Sequence, residues 1–197
     1  GESEFSKGKG RQDGYWGHPV ATAKSGLPRG VGMMQSKDGQ SWEVLPPAKV
    51  EWGDVPPRDL EWGGCERFED KYYLIGGTGN YVSKGYSMYV LVADHPRGVF
   101  RPQKEAYRLC GSSKENVSWL AAWCRGNNEL LISNYASMEP GSRAPWMIPM
   151  RKPLVDKKGH LRLGWWKENE RLKGTDIQMA SKSVILNTDE VNSQYQI

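Results

Sequence analysis

Apolar and polar positions alternate in short runs along this chain, and clusters of Gly, Pro, Asn and Asp close the runs. The pattern predicts strands at Val31 to Gln35, Ser41 to Leu45, Lys71 to Ile75, Tyr86 to Ala93, Ser118 to Cys124, Glu129 to Tyr135, Trp146 to Val155 and His160 to Trp166. Helical periodicity is sustained over a dozen residues nowhere, so the fold class is all-β. Turn chemistry joins neighbouring runs into hairpins at Lys37-Asp38-Gly39, Glu69-Asp70-Lys71, Gly126-Asn127-Asn128 and Asp156-Lys157-Lys158-Gly159. Consecutive hairpins make antiparallel meanders. Two groups of about four strands, Glu61 to Arg101 and Ser118 to Trp166, follow the remains of an earlier group before Pro46. Four-stranded antiparallel meanders repeated in this way predict the blades of a partial β-propeller, with a β-sandwich or jelly roll as the alternative architecture. Two and a half blades cannot close a ring, and open meanders leave unpaired edges.

The ends differ in character from this body. Residues 1–14 are polar, lack an initiator Met and read as a flexible or cut end; residues 15–174 hold the strands. Residues 175–197 turn polar again around one apolar run, Ser183 to Leu186, and read as a terminal strand or a linker to a further module.

Composition removes several function classes. The formal charge of +4 is spread over Lys and Arg scattered among acids, which describes a solvated surface and not a nucleic-acid face. Neither a zinc spacing nor a helix-turn-helix pattern occurs. No run approaches the roughly 18 apolar residues of a membrane span, and no charged-then-apolar leader is present. The expectation is a soluble chain without a membrane partner, cytoplasmic or secreted. Cys65, Cys110 and Cys124 are unevenly spaced, with no CxxC. They predict neither a disulfide framework nor a thiolate metal site, and no cofactor is expected. Asn116-Val117-Ser118 is a glycosylation sequon that matters only in a secreted protein.

Nine Trp, nine Tyr and three Phe form an unusual aromatic balance. Rings with a polar handle suit half-wet, half-apolar sites such as those that hold sugar faces, and they suit strand packing equally well. In that setting the stretch Glu61 to Gly77, EWGGCERFEDKYYLIGG, carries the most specific chemistry. A lone carboxylate stands at a strand start, beside glycines whose backbone allows close approach of a ligand. The same text also describes an ordinary hairpin. Asp13 and His18 fall near the flexible end, His95 in a turn and His160 on a hairpin flank.

The stretch Val31 to Pro47, VGMMQSKDGQSWEVLPP, is similar to the blade hairpin G-x-A-x-S-x-D-G-x-x-W-E-x-L-P of the five-bladed β-propeller glycosidases. That clan includes glycoside hydrolase families 32, 43 and 68. Its general acid Glu, in an E-C-P-D or E-G-P context, stands ahead of a D-G-x-Y-Y-L strand much as Glu61 stands ahead of Asp70-Lys71-Tyr72-Tyr73-Leu74. Here Gly63-Gly64 replaces the usual small and Pro residues. Trp146 to Asp156 with Gly159 to Trp166 looks like a late blade of family 32-like proteins. Together the likenesses cover most of residues 15 to 174. The clan's W-M-N-D-P-N-G motif has no counterpart, and Arg58-Asp59-Leu60 echoes its R-D-P motif too close to Glu61 to be the same element. The chain therefore resembles the later blades of such a propeller, with the missing blades on another segment or chain.

This resemblance implies a glycosidase that acts on terminal furanosyl residues of an oligo- or polysaccharide, fructoside or arabinoside, from a pocket at the propeller axis. Glycoside hydrolysis needs two carboxyl groups, one donating a proton to the leaving oxygen and the other acting as nucleophile or base. Glu61 is the general acid so implied, and Glu66 is the competing acid if the register shifts by a few residues. Five apart on an extended strand, the two are expected on opposite faces. Trp62, Trp119, Trp123 and Arg143 are the expected substrate contacts, with packing equally open for the Trp residues. A non-catalytic carbohydrate-binding or scaffold propeller is the alternative function.

Overall fold

A computed structural model describes residues 14–21, 30–54, 61–80, 85–103, 105–112, 121–136 and 146–175 of this chain. Short alternating runs and tight turns leave little choice but antiparallel sheet, and three sheets follow one another along the chain. The first contains β1 (Tyr15–Gly17), β2 (Val20–Ala21), β3 (Gly30–Ser36) and β4 (Glu43–Ala48). β1 and β2 both pair with β3 on one side, and β4 pairs with it on the other.

The second sheet starts with β5 (Glu61–Phe68), β6 (Lys71–Asn80) and β7 (Gly85–Ala93). β8 (Arg101–Pro102) and β9 (Arg108–Ser112) then pair with successive parts of β7 and act as two pieces of one fourth strand. The third sheet repeats this plan with β10 (Ala121–Gly126), β11 (Glu129–Ala136), β12 (Trp146–Met147), β13 (Arg151–Val155) and β14 (Leu161–Trp165). Here β12 and β13 share the β11 edge and form the third strand in two pieces. The run from Trp146 to Val155, expected as one strand, breaks between Met147 and Arg151. Pro149 lies inside the break, and a proline cannot donate to a ladder. Both later sheets are thus four-stranded antiparallel meanders, and the fold is all-β with the blade organisation of a partial propeller.

The sheets stack face to face. Tyr73, Ile75, Met88 and Val90 of the second sheet meet Ala121, Trp123, Ile132 and Leu161 of the third in one buried cluster. The other face of the second sheet sends Leu74, Leu91 and Ala93, with the flanking Phe100, against Val31 of the first. Strand alternation explains the division, since Tyr73 and Ile75 point one way and Leu74 the other. Hydrogen bonds pin the interfaces. The Gln103 side chain donates to Gly159 O at 2.7 Å and accepts from Leu161 N at 3.1 Å, while Phe100 and Val50 form a parallel bridge.

This body is one compact unit ending at Lys167, and the residues from Glu168 belong to a second. A 3-10 helix spans Lys167–Leu172, and the second unit carries ion pairs from Arg171 to Glu168 and from Lys173 to Glu170. No helix among the described residues is long and apolar enough to cross a membrane.

Candidate functional site

β5 opens the second sheet at Glu61, beside the first strand of the third. The local backbone is shaped by Gly63 and Gly64. Glu61 and Trp62 pair with Gly77 and Gly76, but Cys65 and Glu66 pair with Leu74 and Tyr73, so one extra residue is accommodated between Trp62 and Cys65. Such a bulge bends the strand and re-aims its side chains. Gly64 takes a φ of 109°, which side-chain-bearing residues rarely adopt. Gly63 lies so close to β10 that a Cβ there would sit 1.6 Å from Ala121 O.

The bulge changes which way the carboxylates point. The partners of Glu61 and Glu66, Gly77 and Tyr73, are four residues apart on an uninterrupted strand and therefore share a face. Glu61 and Glu66 consequently both look toward the third sheet. This corrects the expectation of opposite faces, which took β5 as regular. Along β6 the two positions are about 13 Å apart at ~3.3 Å per residue.

Burial separates their roles. Glu66 is 3% exposed, between the sheets, whereas Glu61 is only half-buried, opposite a glycine at the entrance of the strand. Of the two, Glu61 is the one a ligand can reach.

Trp62 and Cys65 point to the opposite face and pack against the cluster around Val31 and Leu74. The Trp62 indole N–H reaches Gly30 O at 3.4 Å. Trp123 is 9% exposed within the other cluster and donates to Tyr73 O at 3.0 Å. Both rings are thus engaged in joining sheets. Trp119 and Arg143, together with Asp13 and the Arg58-Asp59-Leu60 stretch, lie outside the described residues.

A polar group that the motifs did not single out sits beside this entrance. Asn134, 5% exposed, pairs with Ala121 and shares the face of Ile132 toward the second sheet. Its signal in the sequence is an amide at an inward position of the Leu130, Ile132, Asn134 alternation.

The histidines are divided between structure and surface. His18, 8% exposed, donates from Nε2 to Pro96 O at 3.2 Å and meets Phe100 edge-on. Burial holds its pKa below the ordinary value. His95 is exposed, accepts the Arg97 N–H on Nδ1 and neighbours Trp16 and Tyr72. His160 flanks the β13–β14 hairpin, where Asp156 accepts its backbone N–H and the Arg162 guanidinium.

Cys65, Cys110 and Cys124 are not joined in disulfides, and Cys124 Sγ lies 3.6 Å from Met150 Sδ. Among the described residues, no group of three or more His, Cys, Asp or Glu is placed to hold a metal ion.

The Ser-x-Asp-Gly-x-x-Trp stretch forms the β3–β4 turn. Ser36 Oγ accepts from Gly39 N and donates to Asp38 Oδ1, and that same carboxylate oxygen accepts from Gln40 N and Ser41 N. These bonds hold the Asp38 pKa down at about 2. An open cavity of about 380 Å³ lies against this turn, bordered by Gln35, Ser36, Lys37, Asp38, Ser41, Trp42 and Glu43.

Neither a protein-family model nor a curated protein matches the chain. Among solved structures, it is similar to variants of levansucrase from B. megaterium. One shares 10% identity over 68% of this chain with a TM-score of 0.46, and a second 9% over 69% with 0.45. The chain spans about a third of the length of those proteins, 33% in each case.

Proposed function

We propose that this chain is the later part of a five-bladed propeller glycoside hydrolase, and that Glu61 donates the proton to the leaving oxygen. The reading rests above all on Glu61, a reachable carboxylate at the entrance of a sheet's first strand. It stands just ahead of a bulge whose glycines bring β5 against β10. The resemblance of the hairpin motifs supports a terminal fructofuranosyl or arabinofuranosyl residue as substrate.

In this role the Glu61 carboxyl must be protonated as the substrate binds and ionised as the bond breaks. Glu66, 3% exposed between the sheets, is a structural neighbour on that face. The second carboxylate is supplied by another element of the protein.

The test is hydrolysis by the full-length protein of p-nitrophenyl α-L-arabinofuranoside and release of fructose from sucrose and inulin. Glu61→Gln keeps the shape of the side chain and removes its proton. It is expected to lower kcat/KM on sucrose and inulin about 10²- to 10⁴-fold, the usual contribution of a general acid, and less on the aryl furanoside, with thermal stability unchanged. Wild-type turnover in that variant would remove the assignment. Sugar binding without turnover by the wild-type protein would establish instead a non-catalytic binding propeller.

A further inference from the structure

The cavity at the β3–β4 turn is built from side chains that the proposed chemistry does not use. Trp42, half-buried, borders it, and its ring is steadied from β1, where a Cβ on Gly17 would lie 3.5 Å from Trp42 Cζ3. On the same wall, Gln35 Nε2 donates to Glu43 Oε2 at 2.7 Å. An amide locked to a carboxylate presents donors and acceptors side by side, a set that matches neighbouring hydroxyl groups. Lys37 and Ser41 add further donors to the rim.

We propose that this groove binds one ring of a neutral saccharide, with an apolar sugar face on Trp42 and the hydroxyls on Gln35 and Glu43. A half-apolar, half-polar ring is the ligand class that a half-exposed indole beside polar groups accommodates. Formal charge selects against anions, since Lys37 and two carboxylates, Asp38 and Glu43, border the cavity, leaving a balance of −1. Asp38 itself is consumed by its turn, and with a pKa near 2 it stays ionised and rigid. The volume of about 380 Å³ lies within the range of small-ligand sites.

The groove is remote from Glu61. Trp62, next to Glu61, reaches Gly30 at one end of β3, and the groove begins at the other end of that strand. Six residues of strand at ~3.3 Å each put the two ends about 20 Å apart. A chain seated in the groove would therefore tether a polymer without occupying the place where its terminal residue is cut.

The choice of probe rests on the glycosidase reading above; the site itself does not. Affinity electrophoresis of the full-length protein in gels cast with inulin or linear arabinan measures retention directly. Two variants leave the fold intact by different routes: Trp42→Phe keeps a ring against Gly17, and the double variant Gln35→Ala/Glu43→Ala alters only the hydrogen-bonding pair. Losing hydrogen bonds to a charged group is expected to weaken polymer binding about tenfold or more. Hydrolysis of the small aryl furanoside should be unchanged in both. Glu61→Gln should keep full retention while losing turnover.

Retention that is absent in the wild type, or undiminished from wild type in both groove variants, overturns the groove. Retention lost in those variants of a protein that hydrolyses nothing upholds the groove and overturns the glycosidase reading.

Discussion

Replacing Gly63 by Ala puts the packing of the bulge to a severe test. The added Cβ would sit 1.6 Å from Ala121 O, 2.6 Å from its carbonyl carbon and 2.7 Å from Ala122 Cα, all backbone atoms. Real Cβ contacts hardly ever fall below 3.0 Å, so β5 and β10 must part by at least about 1.4 Å at this point. No side chain can rotate away to absorb the shift. The strain passes into the interface where Tyr73, Ile75, Met88 and Val90 meet Ala121, Trp123, Ile132 and Leu161.

Overpacking of this kind costs about 1–3 kcal/mol, and rigid backbone on both sides places Gly63→Ala near the top, at ~3 kcal/mol. For a unit of this size that corresponds to a fall in Tm of about 6–12 °C. Gly53→Ala is the comparison for backbone conformation without a clash, because Gly53 has a φ of 56°, which Gly63 does not share, and nothing lies within 4 Å of its added Cβ. Its cost is about 1–2 kcal/mol from backbone conformation alone. Thermal unfolding followed by circular dichroism compares the two variants. If Gly63→Ala melts within 2 °C of wild type, or no lower than Gly53→Ala, the close approach of β5 to β10 is wrong, as is the placement of Glu61 built on it (about 2 °C being less than 1 kcal/mol here).

Other perturbations test the rest of the frame. His18 has a folded pKa below 6.5, so the unfolded chain takes up the proton first. The stability it permits is complete above pH 6.5 and falls as pH drops from 6.5 through the folded value, and Tm measured from pH 7.5 to 5 should show this decline, flattened in His18→Gln. Asp38 is held at about 2 against an ordinary 3.8, so its contribution is complete above pH 3.8 and is lost between there and about 2. Denaturant midpoints at pH 5 and pH 2.5 should therefore converge in Asp38→Asn relative to wild type. Trp123→Phe removes the donor to Tyr73 O and should destabilise the protein by about 1–3 kcal/mol, read as a shifted urea midpoint at constant slope.

Much of the architecture is legible in the residues because alternation and turn chemistry are local signals. The Asp38, Asp70, Asn127 and Asp156 turns all join antiparallel neighbours, and the strand groups divide where the sheets do. β1 and β2 were not legible. Tyr15–Gly17 and Val20–Ala21 are interrupted by His18 and Pro19 and gain their pairing only from β3. β9 likewise depends on β7, since Arg108-Leu109-Cys110 carries little strand signal of its own.

The site was legible as a position and not as a geometry. Gly63-Gly64 announces close backbone approach, but whether it inserts a residue is decided by the register against β6. That one residue reverses the relative facing of Glu61 and Glu66. Trp62 and Trp123 show the same limit. Strand position identifies a ring near the carboxylate, whereas the face it takes depends on which neighbouring sheet covers it.

The proton-donor role of Glu61 is tested most directly by leaving-group dependence. In Glu61→Gln, kcat/KM should fall about 10²- to 10⁴-fold on a furanosyl oligosaccharide, whose poor leaving group needs protonation. It should fall far less on an activated aryl furanoside such as the 2,4-dinitrophenyl compound, which leaves as a stable anion. Equal losses on both substrates, or no loss on the oligosaccharide, would contradict Glu61 as the acid.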